Sequence, residues 1–321
     1  MRLERARDMR SQARERLQSN EDITRLPEGA ISLGVAYTDK PENYALAVRI
    51  REKSGIVRLE ALIREILSPL ADNELDVRYT GPLFALQPAL GRASAVASTP
   101  VRIGDSVSHD QSLGGTLGFF ATDNQNGDRG IVSANHVIAE VDQAKAGDSI
   151  VRPATGTTGS TKIAELVRCV PLSGEGLKEV DAAFAKLTTT NFDSKSLPGG
   201  QTLQQVAGNI HESTSVQKFG DRSRRTFGRV TSFDYDTLQV VGYSANLLIV
   251  NFENQLEIES TDPNHDFALD GDSGSLLYND RQHAVGLLFS RCVAGGTLKN
   301  GLAYASPIRT VLKLLDVSLL V

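Results

Sequence analysis

The chain has 321 residues, with 34 Lys and Arg against 39 Asp and Glu, for a net charge of −5. That length suffices for two or three compact units, and the acidic balance argues against a nucleic-acid partner, which asks for a basic face. No run of about 18 apolar residues occurs, so no membrane helix is expected. Two cysteines, Cys169 and Cys292, are too few for a disulfide framework and point to a reducing, cytoplasmic setting.

In chain order, MRLERARDMRSQARERLQSNEDI lacks the apolar stretch of a secretory signal, and its acids argue against a mitochondrial presequence. Residues 1–24 form a first segment: a polar helix with a thin apolar seam at Leu3, Ala6, Ala13 and Leu17, read as a solvated tail or as an oligomer or partner contact. A small α/β domain follows at 25–90. ISLGVAY (31–37) and YALAVRI (44–50) read as strands joined by the turn residues DKPEN. RLEALIREILSPLA (58–71) is helical and stops at Pro69, and DVRYTG (76–81) is a further strand. From 91 to 321 the texture is that of short strands between Gly-, Asp- and Asn-rich turns: GTLGFFATD, GIVSANHVI, VDAAFAKL, GRVTSFDY, NLLIVNFEN, GSLLYN, AVGLLFS. Such spacing suggests a sandwich or a pair of barrels. SPIRTVLKLLDVSLL (306–320) has helical spacing and would close the domain.

The run LDGDSGS (269–275) sets two acids, two glycines and two serines before an apolar pair. If Ser273 is a nucleophile it needs a base and a group to orient that base. Of the five histidines, His109, His211, His265 and His283 lie in polar turns, whereas His136 follows the apolar strand GIVSAN. A base at a strand end is held rigidly. Asp181 opens the small, apolar run VDAAFAKL, where a carboxylate is costly without a partner. Its rivals Asp142, Asp148 and Asp193 stand in polar surroundings. Chain order sorts the known arrangements. The α/β-hydrolase order fails because Ser275 replaces the second glycine of G-x-S-x-G and only His283 follows Ser273. Subtilisin-like order would need Asp105 or Asp128, neither of which opens an apolar strand. The order His136, Asp181, Ser273 is the chymotrypsin-like one. The scattered histidines, with no H-E-x-x-H or C-x-x-C spacing, argue against a metal or other cofactor.

GIVSANHVI, VDAAFAKL and GDSGSLLYN resemble the three catalytic blocks of trypsin-like serine peptidases. SVSHDQSLGGTLGFFATD, GDSIVRP, VQKFGDRSRRTFGRV and VGLLFS extend the resemblance, over roughly residues 30–318, to the intracellular bacterial trypsin-like peptidases and the related plant narrow-leaf proteases. The resemblance implies a mainly β fold, a chymotrypsin-like double β-barrel peptidase domain preceded by an N-terminal helix and a small α/β unit. It implies a serine endopeptidase acting on a protein or peptide substrate, with His136 as base, Asp181 as its orienter, Ser273 as nucleophile, and the backbone N–H groups of Gly271 and Ser273 as oxyanion hole. Asp272 becomes the loop-organising acid, with another partner or none in place of the freed N-terminus that secreted trypsins use. Phe267, six residues before the nucleophile, falls at the base of the substrate pocket, and an aromatic there favours small or apolar side chains over Lys or Arg. Arg291 and the Gly295–Gly296 loop shape the same cleft. A homo-oligomer, a cytosolic target and a place in a bacterial defence or stress system are further expectations. The chain ending after its closing helix is unlike HtrA-type architecture. The contrasting reading is a latent or inactive peptidase-fold scaffold that acts by binding protein.

Overall fold

The computed structural model describes residues 1–40, 42–71, 74–89, 99–155, 159–208, 214–243, 248–298 and 300–321. His211 and the expected boundary at residues 90–91 lie outside them. The chain is mainly β, 43% strand and 16% helix, in the architecture of a chymotrypsin-like double barrel. Six strands close the first barrel: Ser106–His109, Phe119–Asp123, Arg129–Ser133, Ser149–Arg152, Thr161–Cys169 and Ala183–Leu187. Val107, Phe120, Ile131, Ile150, Leu166 and Ala185 share one face of its sheet and one buried cluster. The second β unit is a half-barrel containing Ser215–Gly220, Arg224–Phe233, Leu256–Ser260, Leu276–Asn279, His283–Gly295 and Gly301–Pro307. Alternation of inward apolar and outward polar residues is what lets these short runs close around a core.

The half-barrel does not end at its own strands. Arg224–Phe233 pairs with Ile31–Tyr37, which pairs antiparallel with Tyr44–Ile50, itself parallel to Leu75–Tyr79 across the helix Ile56–Ala71. This is the expected βαβ crossover, and Pro69 sits inside the last turn of its helix rather than ending it. A proline there forfeits one hydrogen bond only, at a place where the helix is ending anyway. The helix Leu3–Gln18 is not a solvated tail. Ala6, Met9, Ala13 and Leu17 are buried against the strands and the helix Ile56–Ala71, and Arg7 and Arg14 pair with Asp234 and Asp236 of the half-barrel. At the other end, the expected helix over 306–320 is shorter. It spans Ile308–Leu315, stops at Asp316 in a left-handed conformation (φ 51°), and gives way to a strand, Val317–Leu319, added to the first barrel. The alternation of Val317 and Leu319 suits a strand better than a helix. Among the described residues no helix is long and apolar enough to cross a membrane.

A buried charge cluster joins the N-terminal strands to the half-barrel. Arg49, fully buried, donates twice to Glu257 at 2.7 Å, and at 2.8 Å to both the carboxylate and the backbone carbonyl of Asp76. Tyr235, Tyr304, Thr231 and Ser232 also donate to Glu257. Burial alone would raise the Glu257 pKa, but the Arg49 charge and these hydrogen bonds overcome it and bring the carboxyl from 4.5 to about 2. The folded chain therefore gains stability from Glu257 above its unfolded value, and loses it as pH falls toward 2. Arg49→Met should cost about 3–5 kcal/mol in urea unfolding at pH 7, because it leaves a buried carboxylate without its cation. A loss within experimental error would show that the cluster is not a structural clasp.

Candidate active site

Ser273 lies at the junction of the two β units, and the backbone before it makes a tight turn. Gly271 has φ +98° and Gly274 φ +85°, conformations that side chains rarely adopt. At Gly274 a Cβ would stand 2.2 Å from Ser133 Oγ and 2.4 Å from the Thr116 carbonyl, so the turn also presses against the first barrel. Asp272, fully buried, anchors it. Its carboxylate accepts from Lys218 Nζ at 2.9 Å, Ser223 Oγ at 2.6 Å, and the backbone N–H groups of Arg222, Ser223 and Leu269 at 2.9 Å each. Lys218 is fully buried too. Burial opposes both charges, pushing the Lys218 pKa down, while the Lys218 charge and the hydrogen bonds hold Asp272 below the usual carboxylate range. A lysine from within the chain thus supplies the positive charge beneath the turn.

His136 sits in the short helix Asn135–Ile138 that follows the strand Arg129–Ser133. The turn behind it carries three successive left-handed residues, Glu140, Val141 and Asp142. For Val141 this is costly backbone, tolerated because Asp142 is over-determined. Asp142 accepts from Asn135 Nδ2 at 2.6 Å and from the Leu172 and Ser173 N–H groups at 2.9 and 2.7 Å. Asp181 stands two residues before the first residue of the strand Ala183–Leu187 and is fully buried. Its Oδ2 lies 2.5 Å from His136 Nδ1 and accepts from Tyr243 Oη at 3.0 Å, and its Oδ1 accepts from the His136 N–H at 3.3 Å. On the far side of the ring, Ser273 Oγ is 2.6 Å from His136 Nε2. Burial and the Asp181 charge keep the Tyr243 phenol far above its ordinary pKa, so it remains a donor. An imidazole with a carboxylate on Nδ1 presents a lone pair at Nε2, the arrangement that can take a proton from the Ser273 hydroxyl.

The other residues singled out from the sequence lie as follows. Gly271 borders the cleft, and its N–H donates to the Gln87 carbonyl at 2.9 Å. Phe267 is buried, 1% exposed, with Lys218 Nζ 5.8 Å from its ring centre. Arg291 lines a cavity of about 300 Å³ with Phe84, Gln87, Gly242 and Val293, and lies 3.5 Å from Asp270. His136 itself lines a neighbouring cavity of about 220 Å³ with Gln87, Ser112, Glu140 and Tyr243. Of the other described histidines, His109 pairs with Glu140 and Asp148, His265 pairs with Asp262 on the surface, and His283 opens the strand His283–Gly295. Asp193 lies near Arg102. Neither thiol is a ready nucleophile, since burial pushes Cys169 up to about 11 and Cys292 to about 12. Among the described residues no group of His, Cys, Asp and Glu could hold a metal ion.

Sequence reasoning missed Lys218, Tyr243 and the segment around Leu86. Lys218 had a signal: in SVQKFG it shares the inward side of a strand with Val216, where a lysine needs a buried partner. Tyr243 had none.

Solved structures similar to this one include a Nocardiopsis protease (17% identity, 70% of this chain and 100% of that one, TM-score 0.48). Thermobifida fusca protease A is similar at 15% identity, over 69% and 99% of the two chains, TM-score 0.47. A glutamic-acid-specific serine protease is similar at 18% identity, over 68% and 100%, TM-score 0.48. No protein-family model matches the chain, and no curated protein matches it.

Lys218→Met should cost about 3–5 kcal/mol, because it strands Asp272. In a double-mutant cycle, adding Asp272→Asn should recover part of that loss. Strictly additive losses in denaturant unfolding would show that the pair is not coupled.

Proposed function

We propose that this chain is a serine endopeptidase. The observation that carries the reading is the unbroken hydrogen-bonded line from Asp181 through His136 to Ser273. Ser273 Oγ attacks the carbonyl carbon of the scissile bond while its proton passes to His136 Nε2. Asp181 holds the ring and stabilises the imidazolium that forms. The carbonyl oxygen becomes an oxyanion received by the N–H groups of Gly271 and Ser273, in a turn that Lys218 and Asp272 hold rigid. One such donor is worth about 3–4 kcal/mol. His136 then gives its proton to the departing amine, leaving an acyl group on Ser273. Water attacks that ester with His136 again as base, and the carboxylic acid leaves as Ser273 recovers its proton.

The primary pocket takes small or apolar side chains. Phe267 is at its base, and the buried Lys218 beside its ring is committed to Asp272. An apolar aromatic offers no carboxylate to neutralise a Lys or Arg substrate side chain. Arg291 shapes the rim beside Asp270. The substrate is a cytoplasmic protein, a setting supported by two thiols that stand free of any disulfide. In peptide hydrolysis, Ser273→Ala and His136→Ala should abolish turnover, and Asp181→Asn should lower kcat by about 10⁴ by favouring the wrong tautomer. Turnover that survives Ser273→Ala contradicts the mechanism. A peptide-library profile dominated by cleavage after Arg contradicts the pocket.

A further inference from the structure

The residues Leu83–Gln87 come from the end of the N-terminal unit, yet they lie in the cleft. Leu83–Ala85 is a strand between Leu238–Tyr243, to which it is parallel, and His283–Gly295, to which it is antiparallel. On the latter side Ala85 is opposite Ser290 and Phe84 opposite Arg291. The Leu86 N–H donates to the Phe289 carbonyl at 2.9 Å, and Ser290 Oγ donates to the Phe84 carbonyl at 2.9 Å. Two residues later the chain crosses the site itself. The Leu86 carbonyl is 3.0 Å from His136 Nε2, the Gln87 N–H donates to Asp270 at 3.2 Å, and the Gln87 carbonyl takes the Gly271 N–H. The Leu86 side chain is fully buried, in the same apolar cluster as Phe267, Ala268 and Val216.

We infer that Leu83–Gln87 is the resident ligand of the substrate cleft, an uncleaved strand of the chain's own that competes with any extended peptide carrying leucine at the cleaved position. The inference rests on the peptidase reading. An extended substrate is held by pairing with a free strand edge beside the catalytic serine, and the edge Phe289–Arg291 is already paired with Leu86, Ala85 and Phe84. The leucine in the pocket names the class of side chain that the pocket receives. Alanine before it and the half-exposed Phe84 beyond describe the rest of the sequence that fits.

The seating also explains why the strand persists intact. Cleavage needs one carbonyl presented at once to the nucleophile and to the oxyanion donors. Here the two duties fall on different residues, the Leu86 carbonyl facing His136 and the Gln87 carbonyl facing Gly271. The Leu86 carbonyl, 3.0 Å from Nε2, and the Gln87 carbonyl on the Gly271 N–H fill the space that a substrate carbonyl would need. Turnover therefore requires the strand to leave.

The test is the rate of hydrolysis of a leucyl p-nitroanilide peptide by the full chain and by Leu86→Ala and Gln87→Pro. The first variant empties the pocket, and the second removes the N–H that Asp270 holds. Each should raise kcat/KM by about tenfold or more, because the open fraction of sites sets the apparent affinity. The free peptide Leu-Phe-Ala-Leu-Gln should inhibit the variants competitively, and the wild-type chain should keep its full mass. Equal rates in wild type and both variants, each melting as a folded chain, would overturn the inference while leaving the peptidase reading intact. So would wild-type chain found cut after Leu86. Absence of hydrolysis by every form, with Ser273→Ala as baseline, would overturn both together.

Discussion

A carboxylate with no access to water must find its solvation inside the protein, and Asp181 meets that requirement with His136 and Tyr243. It takes hydrogen bonds from His136 at both the backbone and the ring, and one from Tyr243. These contacts draw together the first barrel, which supplies Asp181 and His136, and the half-barrel side, which supplies Tyr243. Ser273 then meets the one ring nitrogen that remains. An unpaired carboxylate here would cost several kcal/mol, so the arrangement that solvates Asp181 also fixes the orientation of the His136 ring.

A buried ion pair does for the turn what the hydrogen bonds between Asp181 and His136 do for the ring. Lys218 and Asp272 hold the GDSGS backbone in a shape that only glycine tolerates at Gly271 and Gly274. The Arg49–Glu257 clasp does the same at longer range. It ties the strand Tyr44–Ile50 to Leu256–Ser260, so the N-terminal unit is not hung from a linker but shares a sheet with the half-barrel. That continuity is what carries Leu83–Gln87 to the cleft. The helix Leu3–Gln18 follows from the same geometry, because its apolar seam is covered where the sheet is extended.

The sequence showed the strands of the barrels by alternation and turn residues, and it showed the three candidate catalytic blocks by residue type and order. GDSGS is legible because a tight turn needs its glycines in place, and VDAAF because an acid before an apolar strand demands a partner. What stayed hidden were partners distant in sequence. Nothing in VVGYS says that its tyrosine will reach a carboxylate 62 residues away. Nothing in PLFALQP says that this short apolar run is a cleft strand rather than the last strand of the α/β unit, since both read alike by periodicity. The closing helix was overestimated because VLKLLDVSLL satisfies a helical spacing through a residue, Asp316, that in fact turns left-handed and ends it.

The central claim is that Ser273 is a nucleophile made reactive by His136 and Asp181. The measurement that addresses it most directly is prolonged reaction of the folded chain with a fluorophosphonate, followed by intact mass and peptide mapping. The account predicts one adduct per chain, on the peptide that contains Ser273, and none in His136→Ala. A folded chain left unmodified, an adduct elsewhere, or one that forms equally without His136 would contradict it.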